Sequence, residues 1–370
     1  MGEQRGSAAA SGLEGIVVAD TRMSSVDGGR GVLIVGGFEV EALAERVGFE
    51  GACGLLWGGE LPDAIELGGL RRRLGEARVE AFEALPMEAL GLPDAMAALR
   101  AVIGRDSMGA AERGDEGAIL IVGMIGVAAA AWSRLSRGLR PVAPDPERGH
   151  GEDFLRMIQG ERPSAASVRG IDAYLTTVID HGMNASTFTA RVVASTGSDL
   201  VSAVTAAIGA LKGPLHGGAP GPVLDMLDAI GAPEGAGAWL EGELAAGRRI
   251  MGMGHRVYRV RDPRAAVLER AIGRLEGESG RHQGRLALAR AVEAEAERLL
   301  AARHPGRPLR ANVEFYTAVL LEALGIPRAL FSATFCASRA AGWCAHVEEQ
   351  RAVGRLIRPS SRYVGPAPVA

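Results

Sequence analysis

Lysine is almost missing from this chain. Its basic side chains are forty arginines and a single lysine, Lys212. Gly213 follows that lysine, so there is no Walker A loop. Any lysine-dependent phosphate or Schiff-base chemistry would have to run through Lys212 alone. Cysteine is scarce as well. Cys53, Cys336 and Cys344 are an odd count at unrelated spacings, which gives neither a disulfide framework nor a zinc cluster and points to a reducing cytoplasm. An excess of one charge is lacking: 41 basic residues against 44 acidic ones leave −3, no electrostatic footing for nucleic acid. The longest uncharged apolar run, Ala118 to Trp132, is short of the ~20 residues a membrane span needs and predicts a buried helix. Residues 1–12 have no apolar core and do not read as a secretory signal. H-E-x-x-H and histidine pairs at i,i+4 are missing and Cys and His are not clustered, so no metal site is expected; a G-x-S-x-G nucleophile elbow is missing as well. Gly252-Met253-Gly254 begins like a dinucleotide loop, but Val257 takes the last glycine position and no strand precedes it.

What is present reads as a helical enzyme. The chain has 370 residues, 47% hydrophobic and 23% charged, an ordinary globular balance with room for about two domains. Two β-branched runs, Gly15–Ala19 and Gly31–Val35, flank the turn chemistry of Asp27-Gly28-Gly29 and predict a small N-terminal hairpin. Beyond them the apolar spacing is helical. Val168, Ile171, Tyr174, Leu175 and Val178 form one stripe, with Ser167 as its expected cap. Leu200, Val201, Val204, Ala207, Ile208 and Leu211 form another, capped by Ser198 or Asp199 and stopped by Gly213-Pro214. Further stripes run from Leu286 to Leu300 and from Val313 to Ala323, the latter closed by Gly325 and Pro327, and one more helix spans 328–350. Residues 136–151 read as a polar, proline-rich surface loop. The expected fold is all-α with a minor hairpin, hinged at the Gly/Pro clusters of 213–222.

Seven histidines occur: His150, His181, His216, His255, His282, His304 and His346. Three of them, His181, His216 and His255, stand beside glycine at helix ends, where an imidazole and backbone N–H groups can face a ligand. Arg256, Arg259, Arg261 and Arg264 follow His255, and Arg355, Arg358 and Arg362 close the chain. Arg339 sits in a helix of small and apolar residues, where a guanidinium calls for a buried anion such as a carboxylate. Glu314 opens an apolar helix after Asn312-Val313; complementing the helix dipole is the simplest role open to it.

Six ordered motifs carry a resemblance. They are HGMNASTFTAR at 181–191, ALKGPLHGG at 210–218, GHRVYRVRDPR at 254–264, NVEFY at 312–316, SRAAGWCAHVEEQ at 338–350 and RLIRPSSRYVGP at 355–366. Together with GLEGIVVADTRMSSVDG at 12–28 and LLWGGELP at 55–62, they resemble the citrate synthase family over residues 12–366. The resemblance implies an all-α dimer. A large domain, 1–217 and 326–370, would embrace a smaller one, 218–325, and the C-terminal tail would cross to the partner. It implies condensation of acetyl-CoA with oxaloacetate through an enol, or of propionyl-CoA in a 2-methylcitrate synthase. A silent relative that only binds CoA or a dicarboxylate is the third possibility. No cofactor is implied beyond the CoA thioester, which is a substrate. His216 would hold the thioester oxygen and His255 would polarise the ketone. Glu314 would remove the methyl proton from the place where the family normally has aspartate. His181, Arg264 and Arg339 would bind oxaloacetate, joined by Arg358 from the other subunit, and Arg259 would meet the CoA phosphates. Met253, Ala219-Pro220 and Arg310-Ala311 also depart from the usual pattern. The chemistry agrees independently: a thioester enol needs a carboxylate base and an oxyanion donor, and a dicarboxylate needs arginines.

Overall fold

A computed structural model describes residues 12–13, 15–114, 116–217, 220–255, 257–279 and 284–366. Gly218, Ala219, Arg256 and His282, named above, lie outside them. Three short strands, β1 (Ser24–Asp27), β2 (Val32–Val35) and β3 (Phe38–Glu39), form an antiparallel sheet in that order. The helices are α1 (Val40–Arg46), α2 (Gly48–Gly58), α3 (Ala64–Glu83), α4 (Met87–Leu90), α5 (Ala95–Arg105) and α6 (Glu116–Leu135). Then come α7 (His150–Gln159), α8 (Ala165–Thr177), α9 (Ala185–Ala194), α10 (Leu200–Leu211) and α11 (Pro220–Ile230). The last five are α12 (Ala236–Ala245), α13 (Pro263–Ser279), α14 (Arg285–Arg303), α15 (Val313–Ala323) and α16 (Phe331–Val353). The fold is all-α with a minor sheet, as the periodicity predicts.

Three local expectations shift. The first strand of the hairpin is Ser24–Asp27, not Gly15–Ala19, because the Asp27 carboxylate closes the turn by accepting from the Gly29 and Arg30 N–H groups and so sets the pairing Asp27–Val32. Helix α8 starts three residues early, since Ser164 rather than Ser167 is the cap and accepts from the Ser167 N–H. The loop after α6 ends at Gly149, and His150 and Gly151 are already helical and buried. Arg78 holds that loop down, donating to the Asp145 and Arg148 carbonyls and to buried Asp153.

The run Ala118–Trp132 forms the middle of α6, which is buried against α3, α5, α7 and α16. Helices α11 to α15 pack largely on one another, with α13 also meeting α1 and α8. Helix α16 organises the rest. It packs on α2, α6, α9 and α10, and its residues at one-turn spacing grip the chain that leaves α8. Ser338 Oγ donates to the Leu175 carbonyl and Arg339 Nε to the Val178 carbonyl at 2.8 Å. One turn on, Gly342 lies so close to the Ile179 carbonyl oxygen that a Cβ would stand 2.3 Å from it. One further turn brings His346 Nε2 to Asp180, 3.2 Å from Oδ1.

Gly342→Ala therefore forces α16 away from the 178–182 segment. Overpacking of this kind lowers the unfolding free energy by about 1–3 kcal/mol, read from urea titration. A loss under about 0.5 kcal/mol, the level of a surface change, would show that the contact yields freely.

Candidate active site

Asparagine caps place two of the site's elements. Asn184 caps α9 by accepting from the Thr187 N–H, and Asn312 caps α15 by accepting from the Glu314 N–H. Asn312 also reaches sideways: its Nδ2 donates to the Gly254 carbonyl, and its N–H donates to Gly252. The Gly254 N–H donates to Arg310 at 2.7 Å, and Met253 bridges to Ala311. This short antiparallel lacing ties the loop that carries His255 to the start of the helix that carries Glu314. It needs both glycines, which have φ of +73° and +88°. A Cβ on Gly252 would also strike Phe315.

The three histidines singled out in the sequence converge with the arginines. The His181 and His255 rings meet edge to face, 5.6 Å between centroids. Tyr258 packs on both, and its hydroxyl lies 3.1 Å from His181 Nε2. Burial, then Arg264, Arg339 and His255, hold His181 well below the ordinary imidazole range. Burial and Arg264 take His255 down to about 4, and burial with Arg339 takes His216 to about 4. All three are neutral rings at neutral pH.

Their hydrogen bonds decide what each neutral ring can give. His255 Nδ1 accepts from the Val257 and Tyr258 backbone N–H groups, at 3.0 and 3.1 Å. A nitrogen that accepts carries no proton, so Nε2–H is the donor left to a ligand. His216 Nε2 lies 2.8 Å from Ser186 Oγ. Ser186 accepts from Trp343 Nε1 at 3.1 Å and has one proton for two acceptors, His216 Nε2 and Asn184 Oδ1.

The arginines differ from one another. Arg264 is buried and doubly bonded to Asp262 through Nε and Nη2, at 3.0 and 2.7 Å. Arg339 is 1% exposed, lies over the Phe335 ring and donates Nε to Val178, but its Nη2 is buried with no hydrogen-bond partner. Burial pulls Arg339 down to about 10, opposed by the neighbouring Asp180. A protonated, desolvated guanidinium with a spare nitrogen is an anion site.

Glu314 lies between these arginines, and no hydrogen bond from the described residues reaches its carboxylate. Burial raises it to about 7, with Arg264 opposing, Asp262 adding and Arg339 opposing. The helix dipole would lower it, so dipole complementation does not dominate here; burial does. Arg259, exposed, uses its N–H on the Gly28 carbonyl. Arg261 is taken up by Glu269, Glu293 and the Tyr316 ring. Arg358 is not brought to the cluster. It lies on an extended, exposed tail anchored by the Ile357 N–H on Ser195 Oγ.

Sequence reasoning passed over Tyr258, Ser186, Trp343, Asp180 and Asp262. All five stand in or beside the quoted motifs; Asp262 meets Arg264 two residues on, but the partners of the other four are distant in sequence, and no spacing rule pairs Ser186 with Trp343.

This arrangement defines a site for an anionic substrate: neutral imidazole donors, a carboxyl that can shuttle a proton near neutrality, and buried guanidinium groups. Comparison with known proteins names the class. The family model described as "Citrate synthase, C-terminal domain" matches residues 12–360. Citrate synthase 2 of Bacillus subtilis is 39% identical over 369 residues, covering 96% of this chain and 95% of the relative. A 2-methylcitrate synthase of Mycobacterium tuberculosis is 38% identical, covering 96% and 90%. Citrate synthase from Thermotoga maritima superposes with a TM-score of 0.83 at 35% identity, covering 97% of both chains. Thermoplasma acidophilum citrate synthase in ternary complex with carboxymethyl coenzyme A and oxaloacetate gives 0.86 at 28% identity, again over 97% of both. The chain belongs to the citrate synthase family and is an enzyme of that transferase class.

In an NMR titration between about pH 5.5 and 8, the His181, His216 and His255 rings should stay neutral. Two carboxyls should titrate near 7, Glu314 and Asp172, the latter raised by burial and by Glu50, and Glu314→Gln should remove one of the two. An imidazolium forming at any of the three in that window contradicts the assignment.

Proposed function

We propose that this enzyme is a citrate synthase, joining acetyl-CoA to oxaloacetate and releasing citrate and CoA. The observation that carries the reading is the buried Glu314 carboxyl, raised to about 7 and with no hydrogen-bond partner among the described residues, next to Arg264 and Arg339, the arginines that also act on the neutral rings of His255 and His216. A carboxylate in the usual range would be too weak a base for a thioester methyl group; raised to about 7, it matches the working pH.

Glu314 takes a methyl proton, and the thioester becomes an enol as charge moves to its oxygen. His216 stabilises that oxygen by donating from Nδ1, which requires the Ser186 proton to point at His216 Nε2. The Trp343 N–H takes an acceptor site on Ser186, and the hydroxyl proton must turn from Asn184 Oδ1 to His216 Nε2 for this step. Oxaloacetate lies with one carboxylate on Arg339 Nη2 and another near Arg264 and His181. His255 Nε2–H donates to the ketone oxygen, the enol carbon attacks the ketone carbon, and His255 protonates the new alkoxide. Water then cleaves the citryl thioester, the acyl carbon gaining a hydroxyl and the CoA sulfur a proton. The chemistry uses no cofactor beyond the thioester, and three buried, unpaired cysteines are at home in a reducing cytoplasm.

Propionyl-CoA is the alternative donor, favoured by the equal likeness to a 2-methylcitrate synthase. One methylene is worth only ~1–3 kcal/mol of discrimination, so both donors should turn over, with acetyl-CoA ahead. The test is CoA thiol release with each donor. Glu314→Gln should lower kcat by about 10²–10⁴-fold. In the wild type kcat/KM should rise with pH through about 7 as Glu314 deprotonates, then level. Wild-type protein that binds both substrates but releases no thiol overturns the reading.

The tail supports a dimer that shares its sites. Residues 354–366 are extended, and Leu356, Tyr363 and Val364 are exposed at 53, 75 and 84%, apolar surface that a second subunit would cover. Arg358→Gln should raise the KM for oxaloacetate about tenfold or more, as for a charge-assisted bond. A variant that is monomeric by sedimentation should be inactive though folded, and an active monomer contradicts the shared site.

A further inference from the structure

The N-terminal hairpin has no place in the reaction just described, yet one face of it touches both histidine loops. Ser24 and Val26 share that face by strand alternation, and Gly28 follows them in the turn. Ser24 Oγ donates to Asp180 Oδ2 at 2.5 Å and accepts from the Gly182 N–H at 2.7 Å, one bond on each side of His181. Val26 comes next and lies against Gly182, where a Cβ would be 3.5 Å from Val26 Cγ2. At the turn, the Gly28 carbonyl accepts from the Arg259 N–H at 2.8 Å, four residues beyond His255. Gly28 sits so tightly on this loop that a Cβ would stand 2.2 Å from the Val257 carbonyl oxygen. Gly31 does the same to Val260, where a Cβ would be 2.5 Å from Cγ2.

We propose that this face is a splint that sets the spacing between His181 and His255, with Ser24 and Gly28 as positioning residues for the reaction. The two anchors are four residues apart, about 13 Å of extended chain. Neither anchor touches a reacting atom; each holds backbone that carries one. The two histidines come from separate stretches of chain, the turn after α8 and the loop before α13, and meet directly only through their rings and Tyr258. A hydrogen bond of 3.1 Å between Tyr258 and His181 lets the rings slide, whereas backbone held at both ends does not. Asp180 strengthens the first anchor. Burial works against its ionisation, yet His346, Arg339 and the Ser24 hydroxyl hold it below the usual carboxylate range, so it stays a charged acceptor.

The proposal rests on the citrate synthase reading, and one experiment separates the two. Full-length wild type, Ser24→Ala, Ser24→Thr and Gly28→Ala are compared by thiol-release kinetics and, without substrate, by hydrogen exchange of peptides covering 178–184 and 255–261. Ser24→Ala should speed exchange at 178–184 and raise the KM for oxaloacetate about 5- to 10-fold, the worth of one or two hydrogen bonds, with a smaller effect on kcat. Ser24→Thr keeps the hydroxyl and should restore both. Gly28→Ala should speed exchange at 255–261 and lower kcat about tenfold or more by displacing the His255 loop. Faster exchange confined to the hairpin, with KM and kcat within twofold of wild type, overturns the splint even if the variants melt earlier. An inactive wild type sinks the functional reading instead, and exchange at the two loops then decides the splint alone.

Discussion

Arg339 is the residue on which the site depends. Its Nε is fixed to the carbonyl of Val178, its plane rests on Phe335, and Asp180 supplies the counter-charge. One nitrogen is left buried and unpaired. An uncompensated donor in that position is expensive in folding free energy, so the fold retains it only because the rest of α16 fastens the same segment. Ser338, Gly342 and His346 make that fastening at successive turns. The helix thus acts as a rack on which the 175–182 chain is hung, with His181 at its end. The charge that would attract a dicarboxylate and the histidine that would orient it belong to a single rigid unit.

Electrostatics then explains why the histidines serve as donors rather than as charges. Burial first, and then the buried guanidinium groups of Arg264 and Arg339, make a positive charge on the imidazoles unfavourable, so His181, His216 and His255 all shift down. The same pair opposes protonation of Glu314, yet burial still prevails and the carboxyl rises to about 7. The order of strength is informative. Were the arginines dominant, Glu314 would be a weak base locked in an ion pair. Asp262 opposes this by occupying Arg264 with two bonds, and Glu314 has no hydrogen-bond partner among the described residues. The tautomer of His255 comes from backbone alone, because two N–H groups of its own loop are spent on Nδ1.

Much of this is legible in the sequence, and the limits have physical reasons. Helical periodicity marks the stripes of α8, α10, α14 and α15, and cap chemistry finds Asp199 and Gly325. It misses Ser164, because serines stand at both 164 and 167 and only hydrogen-bond geometry chooses between them. The runs Gly15–Ala19 and Ser24–Asp27 lie on the same side of the turn, and β-propensity favours the former; the Asp27 turn selects the latter. Motifs identify His181, His216, His255, Arg264, Glu314 and Arg339, which the structure gathers. They do not reveal Tyr258 or the Ser186–Trp343 pair, since those contacts span 77 and 157 residues and leave no periodic trace. Arg358 stays outside the cluster, on the exposed tail.

Glu314 is where sequence and structure bear most directly on each other. The resemblance to the citrate synthase family puts Glu314 where aspartate is usual, which would add one methylene between backbone and carboxyl. An error of ~1 Å at a reacting atom can lower a rate about 100-fold, so the extra length has to be absorbed. The lacing of Gly252, Gly254 and Asn312 fixes the start of α15 against the His255 loop, which rules out retreat of the helix by itself. The slack would then lie in the side chain, which no hydrogen bond from the described residues holds and which has an additional torsion to turn about. With no fixed partner among the described residues, the carboxyl is open to the effect of burial that raises it. In the proposed role of Glu314 as base, the added length is thus compatible with the feature that would make it basic.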